Sequence, residues 1–98
     1  MAQLIYAEQA LADFERLTDF LLETDAAAAQ ETAELISEAI QVLKNHPLVG
    51  RPAEQNMREL VISRGQTGYL ALYSYEEHHD TVLILANRHQ HEAGYATE

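Results

Sequence analysis

Tyr69-Leu70-Ala71-Leu72-Tyr73-Ser74-Tyr75, then Glu76-Glu77-His78-His79-Asp80, then Thr81-Val82-Leu83-Ile84-Leu85-Ala86: two runs rich in aliphatic and aromatic residues, joined by five polar ones. Runs of this length and make-up favour strands, and so short a polar connection folds the second back on the first as an antiparallel pair. The second run is apolar throughout after Thr81, which predicts an inner strand covered on both faces. The first alternates, placing Leu70 and Leu72 on one side and Tyr69, Ala71, Tyr73 and Tyr75 on the other. The tyrosine side, apolar in its rings and polar at their tips, is expected to be partly open. Upstream, Leu60-Val61-Ile62 reads as the strand before these, separated from Tyr69 by Gly65-Gln66-Thr67-Gly68.

Ahead of Pro47 the period changes from two to that of a helix. Ala10, Phe14, Leu17 and Leu21 share one face of a helix over about residues 8–24, with Asp13, Glu15, Asp19 and Glu23 mostly off it. Asp25 is placed to cap a second helix in which Ala29, Ala33, Ile36, Ile40 and Leu43 repeat the period until Asn45-His46-Pro47. That helix is about twenty residues, roughly 30 Å. The short break between the two implies an antiparallel helical hairpin. Gln3-Leu4-Ile5-Tyr6 has the length of a first strand, and the stretch from Pro47 to Met57, with two prolines and a glycine, reads as a connecting loop. The chain therefore predicts one α+β domain over residues 1–98, ordered β-α-α-β-β-β, with the helical hairpin packed on an antiparallel sheet. A hydrophobic content of 47% suffices for one core of that size.

Charge narrows the functional classes. Six Lys and Arg against sixteen Asp and Glu leave a net charge of −10, which argues against a protein that holds nucleic acid by neutralising phosphates in bulk. Residues 1–46 carry nine acids against Arg16 and Lys44, whereas the remainder sets seven acids against Arg51, Arg58, Arg64 and Arg88 and holds four of the five histidines. A cationic or catalytic cluster belongs to that second half. With no cysteine, disulfides, thiolate metal sites and cysteine nucleophiles are excluded. Met1 is not followed by a basic region and an apolar run, and Val82 to Ala86 is far too short to span a bilayer, so a soluble cytoplasmic protein is expected.

No nucleotide fingerprint, nucleophile elbow or zinc-protease helix motif is present. Arg58, Arg64 and Arg88 come from three places in the sheet half, where meandering strands could bring their planar forks together around a phosphate or carboxylate; Glu59 and Glu92 are ready ion-pair partners. In Arg88-His89-Gln90-His91-Glu92 the two histidines share a side of an extended strand, but nothing supplies a full ligand set, so no metal and no cofactor are expected. His89 as acid or base beside Arg88 and Tyr95 would suit ribonucleolytic chemistry.

The order of elements and several local strings resemble the RelE/ParE superfamily of toxins from bacterial toxin-antitoxin pairs, its ParE branch in particular. The strings are Ala12-Asp13-Phe14-Glu15-Arg16-Leu17 with Asp19-Phe20-Leu21, His46-Pro47 followed by Gly50-Arg51-Pro52, Arg58-Glu59-Leu60-Val61-Ile62, Gly68-Tyr69 with Leu72-Tyr73, and Val82 to Ala86 running into Arg88-His89-Gln90 and Glu92-Ala93-Gly94-Tyr95. The resemblance implies a domain neutralised by a cognate antitoxin whose C-terminal segment wraps it. ParE-type members are associated with poisoning of DNA gyrase and RelE-type members with cutting mRNA on the ribosome. At −10 the chain fits a protein that inhibits gyrase, with a RelE-like mRNA endonuclease and a binding module that has lost toxicity as alternatives. Arg58, Arg64, Arg88, His89 and Tyr95 form the expected target-facing neighbourhood. Arg51, Arg58, Tyr69 and Tyr73 are expected to meet the antitoxin.

Overall fold

The helical period before Pro47 and the strand-like runs after it become two layers of one domain. A computed structural model of the chain describes residues 1–64 and 67–95, the side chains of Arg64 and Thr67 excepted. The elements are β1 (Gln3–Tyr6), α1 (Glu8–Leu22), α2 (Ala26–Gln41) with a 3₁₀ turn (Val42–Lys44), β2 (Arg51–Pro52), β3 (Arg58–Arg64), β4 (Thr67–Glu76) and β5 (Thr81–His89). Asp25 caps α2 as expected, its Oδ1 accepting from the Ala28 N–H at 3.1 Å. Among the described residues no side chain caps α1. Its lead-in residue Ala7 is fixed by donating its N–H to the Ile84 carbonyl of β5 at 2.9 Å.

Among the described residues the sheet has five strands in the order β1-β5-β4-β3-β2. Strands β2 to β5 form the antiparallel meander, and β5 lies between β1 and β4, which is why its apolar run is covered. Two features depart from the expected all-antiparallel sheet. β1 pairs with β5 in parallel, Gln3 beside Thr81 and Tyr6 beside Ile84. The two-residue β2, where Arg51 and Pro52 pair with Glu59 and Arg58, forms inside the stretch expected to be loop. A strand so short, with a proline, leaves no period-two pattern to read.

Both helices cover one face of the sheet. Ile36, Ile40 and Leu43 meet Ala10 and Leu17 from the helices and Tyr73, Val82 and Ile84 from the strands, all nearly or wholly out of solvent. The tyrosine side of β4 is therefore the inner side. Tyr69 and Tyr73 are 4% and 0% exposed, against the expected half-open face, because the helical hairpin closes over them. Alternation identifies the two faces of a strand but not which of them the helices will choose.

One irregularity sets the register at the functional end. Leu72 pairs with Ala86, but the next pair is Tyr73 with Ile84, so Leu85 is an extra residue in β5. Cross-strand partners share a face, and the bulge flips the phase of everything after it. Asn87 and His89 thereby turn toward the helices with Ala71 and Tyr69, while Arg88 turns to the open face with Leu70.

Candidate functional site

The helix-free face carries a charged cluster built around Glu59 on β3. Its Oε1 accepts from Arg51 on β2, Nε at 2.8 Å and a second short contact from the guanidinium NH2, and its Oε2 accepts from the Tyr95 hydroxyl at 2.5 Å. Arg88 sits under the Tyr95 ring, 5.1 Å from its centre, and donates to the Glu92 carbonyl at 2.6 Å. The chain after β5 is thus folded back so that Tyr95 bridges Arg88 and Glu59. Burial alone would raise the Glu59 carboxyl, but the hydrogen bonds from Tyr95 and Arg51 and the charges of Arg51 and Arg88 outweigh it and leave its pKa below the usual carboxylate range. Tyr95 moves the opposite way. Burial first, then the hydrogen bond to Glu59 and its charge, raise its pKa far above that of a free phenol despite the opposing Arg88, so the hydroxyl stays protonated at neutral pH.

On the helix side of the same strand end lies a cleft of 540 Å³ lined by Leu17, Phe20 and Leu21 of α1 and by Tyr69, His89 and His91. Phe20 is 72% exposed although it lies on the helix that packs against the sheet. His89 stands edge-on to Tyr69 with ring centres 5.2 Å apart and accepts from the His91 N–H through Nδ1 at 3.1 Å, an arrangement that assigns the ring hydrogen of its neutral form to Nε2. The rim is an ion pair, Arg16 to Glu92 at 2.7 Å, and Glu92 also accepts from the His89 N–H at 2.8 Å.

The expected neighbourhood is therefore divided. Arg88 and Tyr95 meet on the open face, and His89 belongs to the cleft on the other side. Arg58 joins neither: it pairs with Tyr73, whose side faces the helices, and donates to the Leu48 and Gly50 carbonyls at 3.1 and 2.8 Å. The expected convergence of Arg58 with Arg88 does not occur, because successive strand positions alternate faces. Arg64 ends β3, and its side chain lies outside the described residues. Of the residues expected to meet an antitoxin, Arg51 is exposed but engaged with Glu59, and Tyr69 is the buried floor of the cleft. Tyr73 has no exposed surface to offer a partner: its hydroxyl accepts from the Gly50 N–H at 2.9 Å and donates to the Pro47 carbonyl at 2.8 Å.

Two participants went unnoticed in the sequence. Asp13, read as lying off the apolar face of α1, is 1% exposed; its Oδ2 accepts from the Asn87 N–H at 3.0 Å and its Oδ1 from Gln9 and Arg16 at 2.9 and 3.5 Å. Asn87 in turn donates from Nδ2 to the Ala10 carbonyl at 3.2 Å. Together they pin α1 to the bulged end of β5. A signal existed, since Asp13 is three residues past Ala10 and four before Leu17, within the apolar stripe. Among the described residues no three His, Asp or Glu side chains converge on a position where a metal ion could be held.

Residues 4–94 match the family described as ParE toxin of type II toxin-antitoxin system, parDE. The chain belongs to that family. Toxin RelE3 of Caulobacter vibrioides is 36% identical to this ParE-family chain over 77 residues, which are 79% of this chain and 82% of that protein. Among solved structures, a chain of the chromosomal ParDE system from P. aeruginosa superposes with a TM-score of 0.75 at 22% identity, covering 91% of this chain and 96% of its own. The RelBE2 toxin-antitoxin complex of Mycobacterium tuberculosis gives 0.61 at 23% identity over 93% of each chain. The isolated E. coli RelE toxin gives 0.66 at 11% identity, over 95% and 88%. These structural likenesses establish a shared ParE/RelE fold. Among the described residues of this ParE-family toxin, no helix is long and apolar enough to cross a membrane.

Proposed function

We propose that this type II toxin acts in the cytoplasm by inhibiting DNA gyrase as a binding protein, and that a cognate antitoxin neutralises it. The observation that carries the choice of a protein target is the placement of Glu59. A ribonucleolytic site needs cations free to meet phosphate and a group able to take a proton. On the open face Arg51 is already engaged with a carboxylate and Arg88 with the Glu92 carbonyl, that carboxylate is held below its ordinary pKa and so is a weak base, and Tyr95 keeps its proton. The net charge of −10 adds a general repulsion toward ribosomal RNA that a protein surface does not impose. One observation favours the RNA-cleaving alternative: the 36% identical relative carries the name RelE3.

The antitoxin is assigned to the cleft along α1, where Phe20, and in part Leu21, offer apolar area that the described residues leave uncovered. Apolar burial should dominate, so calorimetry at low and high salt should show only a modest loss of affinity; a loss of several orders of magnitude would contradict this assignment. The target is decided by a supercoiling assay run beside a ribosome-dependent mRNA cleavage assay, with wild type and Arg88→Ala. Inhibited supercoiling with intact mRNA is expected of the wild type. Cleaved mRNA with untouched supercoiling would overturn the gyrase reading, and silence in both would identify a binding module without toxicity.

A further inference from the structure

We propose that Glu59 is a specificity-determining residue: a built-in carboxylate that occupies the anion-receiving position of the open face and keeps nucleic-acid phosphate out. The inference deepens the protein-target reading and rests on it. Three groups around Glu59 have the chemistry of a phosphate site. Arg51 presents its fork to Oε1, Tyr95 donates to Oε2, and Arg88 lies behind the tyrosine with its Nε buried and without a partner among the described residues. Planar forks and a hydroxyl donor suit a phosphate oxygen as well as a carboxylate one. Here the ligand is supplied by the protein.

The exclusion is both electrostatic and geometric. Glu59 is fixed on β3, its backbone paired on one side with Leu72 and on the other with Arg51, so it cannot withdraw to make room. An incoming phosphate would meet a carboxylate that is shielded from water, 14% exposed, and ionised well below neutral pH. It would also find Arg51 and Tyr95 already bonded. Neutralising this one side chain without changing its size replaces one of its two acceptor oxygens by an NH2, which frees one of the donors and removes the repulsion in the same step.

The test is binding of a short fluorescein-labelled single-stranded RNA of mixed sequence, followed by anisotropy at several salt concentrations. Wild type is expected to bind weakly. Glu59→Gln should bind at least about tenfold tighter at low salt, the minimum worth of removing one like charge at contact distance, with a salt slope steeper by roughly one to two phosphate contacts. Adding Arg88→Ala to Glu59→Gln should return binding to the wild-type level, and Tyr95→Phe alone, which leaves the carboxylate charged, should gain nothing. Glu59→Thr, neutral and suited to a strand, repeats the measurement should Glu59→Gln not fold, as judged by circular dichroism. No gain in a folded neutral variant, or a gain indifferent to Arg88, overturns the proposal while leaving the gyrase reading standing. Wild type that itself binds the RNA tightly at physiological salt, whatever Glu59→Gln does, or that cleaves mRNA, overturns both.

Discussion

Replacing Tyr73 by phenylalanine removes a single oxygen from the interior, and the structure says what that oxygen does. It lies between the Gly50 N–H, from which it accepts at 2.9 Å, and the Pro47 carbonyl, to which it donates at 2.8 Å, on a side chain with no exposed surface. Gly50 is buried, so its N–H would be left without a partner, and a lost partner for a buried donor costs about 1–3 kcal/mol; the Pro47 carbonyl, half-buried, adds less. A total of about 2–3 kcal/mol corresponds to a melting temperature roughly 10–20 °C lower for a domain of this size. Thermal and urea unfolding of Tyr73→Phe beside Tyr75→Phe would measure it. The Tyr75 hydroxyl bonds Asp80 at the surface, at 2.7 Å, and its loss should leave the midpoint at the wild-type value. Gly50 gives an independent check, because a methyl group there would come within 2.6 Å of the Tyr73 oxygen. Gly50→Ala should therefore be destabilising on its own and less so in the Tyr73→Phe background. If Tyr73→Phe melts with wild type, the hydroxyl is not what anchors residues 47–50 and the argument fails.

Asp13→Ala should lower stability by about 2–3 kcal/mol in urea unfolding, since it strips a buried N–H of Asn87 of its charged acceptor. The depressed Glu59 pKa predicts stability that is complete above the ordinary value of 4.5 and is lost as pH falls through the lower folded value; acid unfolding curves of Glu59→Gln should be flatter over that range than those of wild type. For Tyr95 the sign reverses. Its raised pKa favours the folded state below the ordinary value of 10.0, and that contribution disappears as pH climbs through the higher folded value, so the late phase of phenolate absorbance on alkaline titration should shrink in Tyr95→Phe.

What could be read beforehand was whatever is decided locally. Asp25 and Pro47 mark helix ends by their own backbone chemistry, and Val82 to Leu85 declares an inner strand by composition alone. The site resisted because it depends on register. The extra residue at Leu85 leaves no trace in an unbroken apolar run, yet it decides that Arg88 and His89 face opposite ways relative to a regular ladder. Glu59 stood out only as a neighbour of Arg58, whereas its partners are Arg51, across the two-residue β2, and Tyr95, thirty-six residues onward. Tyr73 resists for a related reason: a polar tip on an otherwise apolar residue looks the same in sequence whether it meets water or a carbonyl.

The parallel pairing of β1 with β5 places strands nearly eighty residues apart in one ladder. Gln3 has no strand partner until Thr81 has been made, and the Ala7 N–H that leads into α1 waits for the carbonyl of Ile84. Closing that contact joins nearly the most distant parts of the chain, the kind of pairing that sets a slow step in folding. During synthesis the helical hairpin can form early, but its apolar face has no finished sheet to lie on until β5 arrives. Leu4, Leu17 and Ile36 would remain uncovered until then. A growing chain of this toxin thus lacks a finished core until β5 has been made, and the folded surface an antitoxin could meet exists only from that point on.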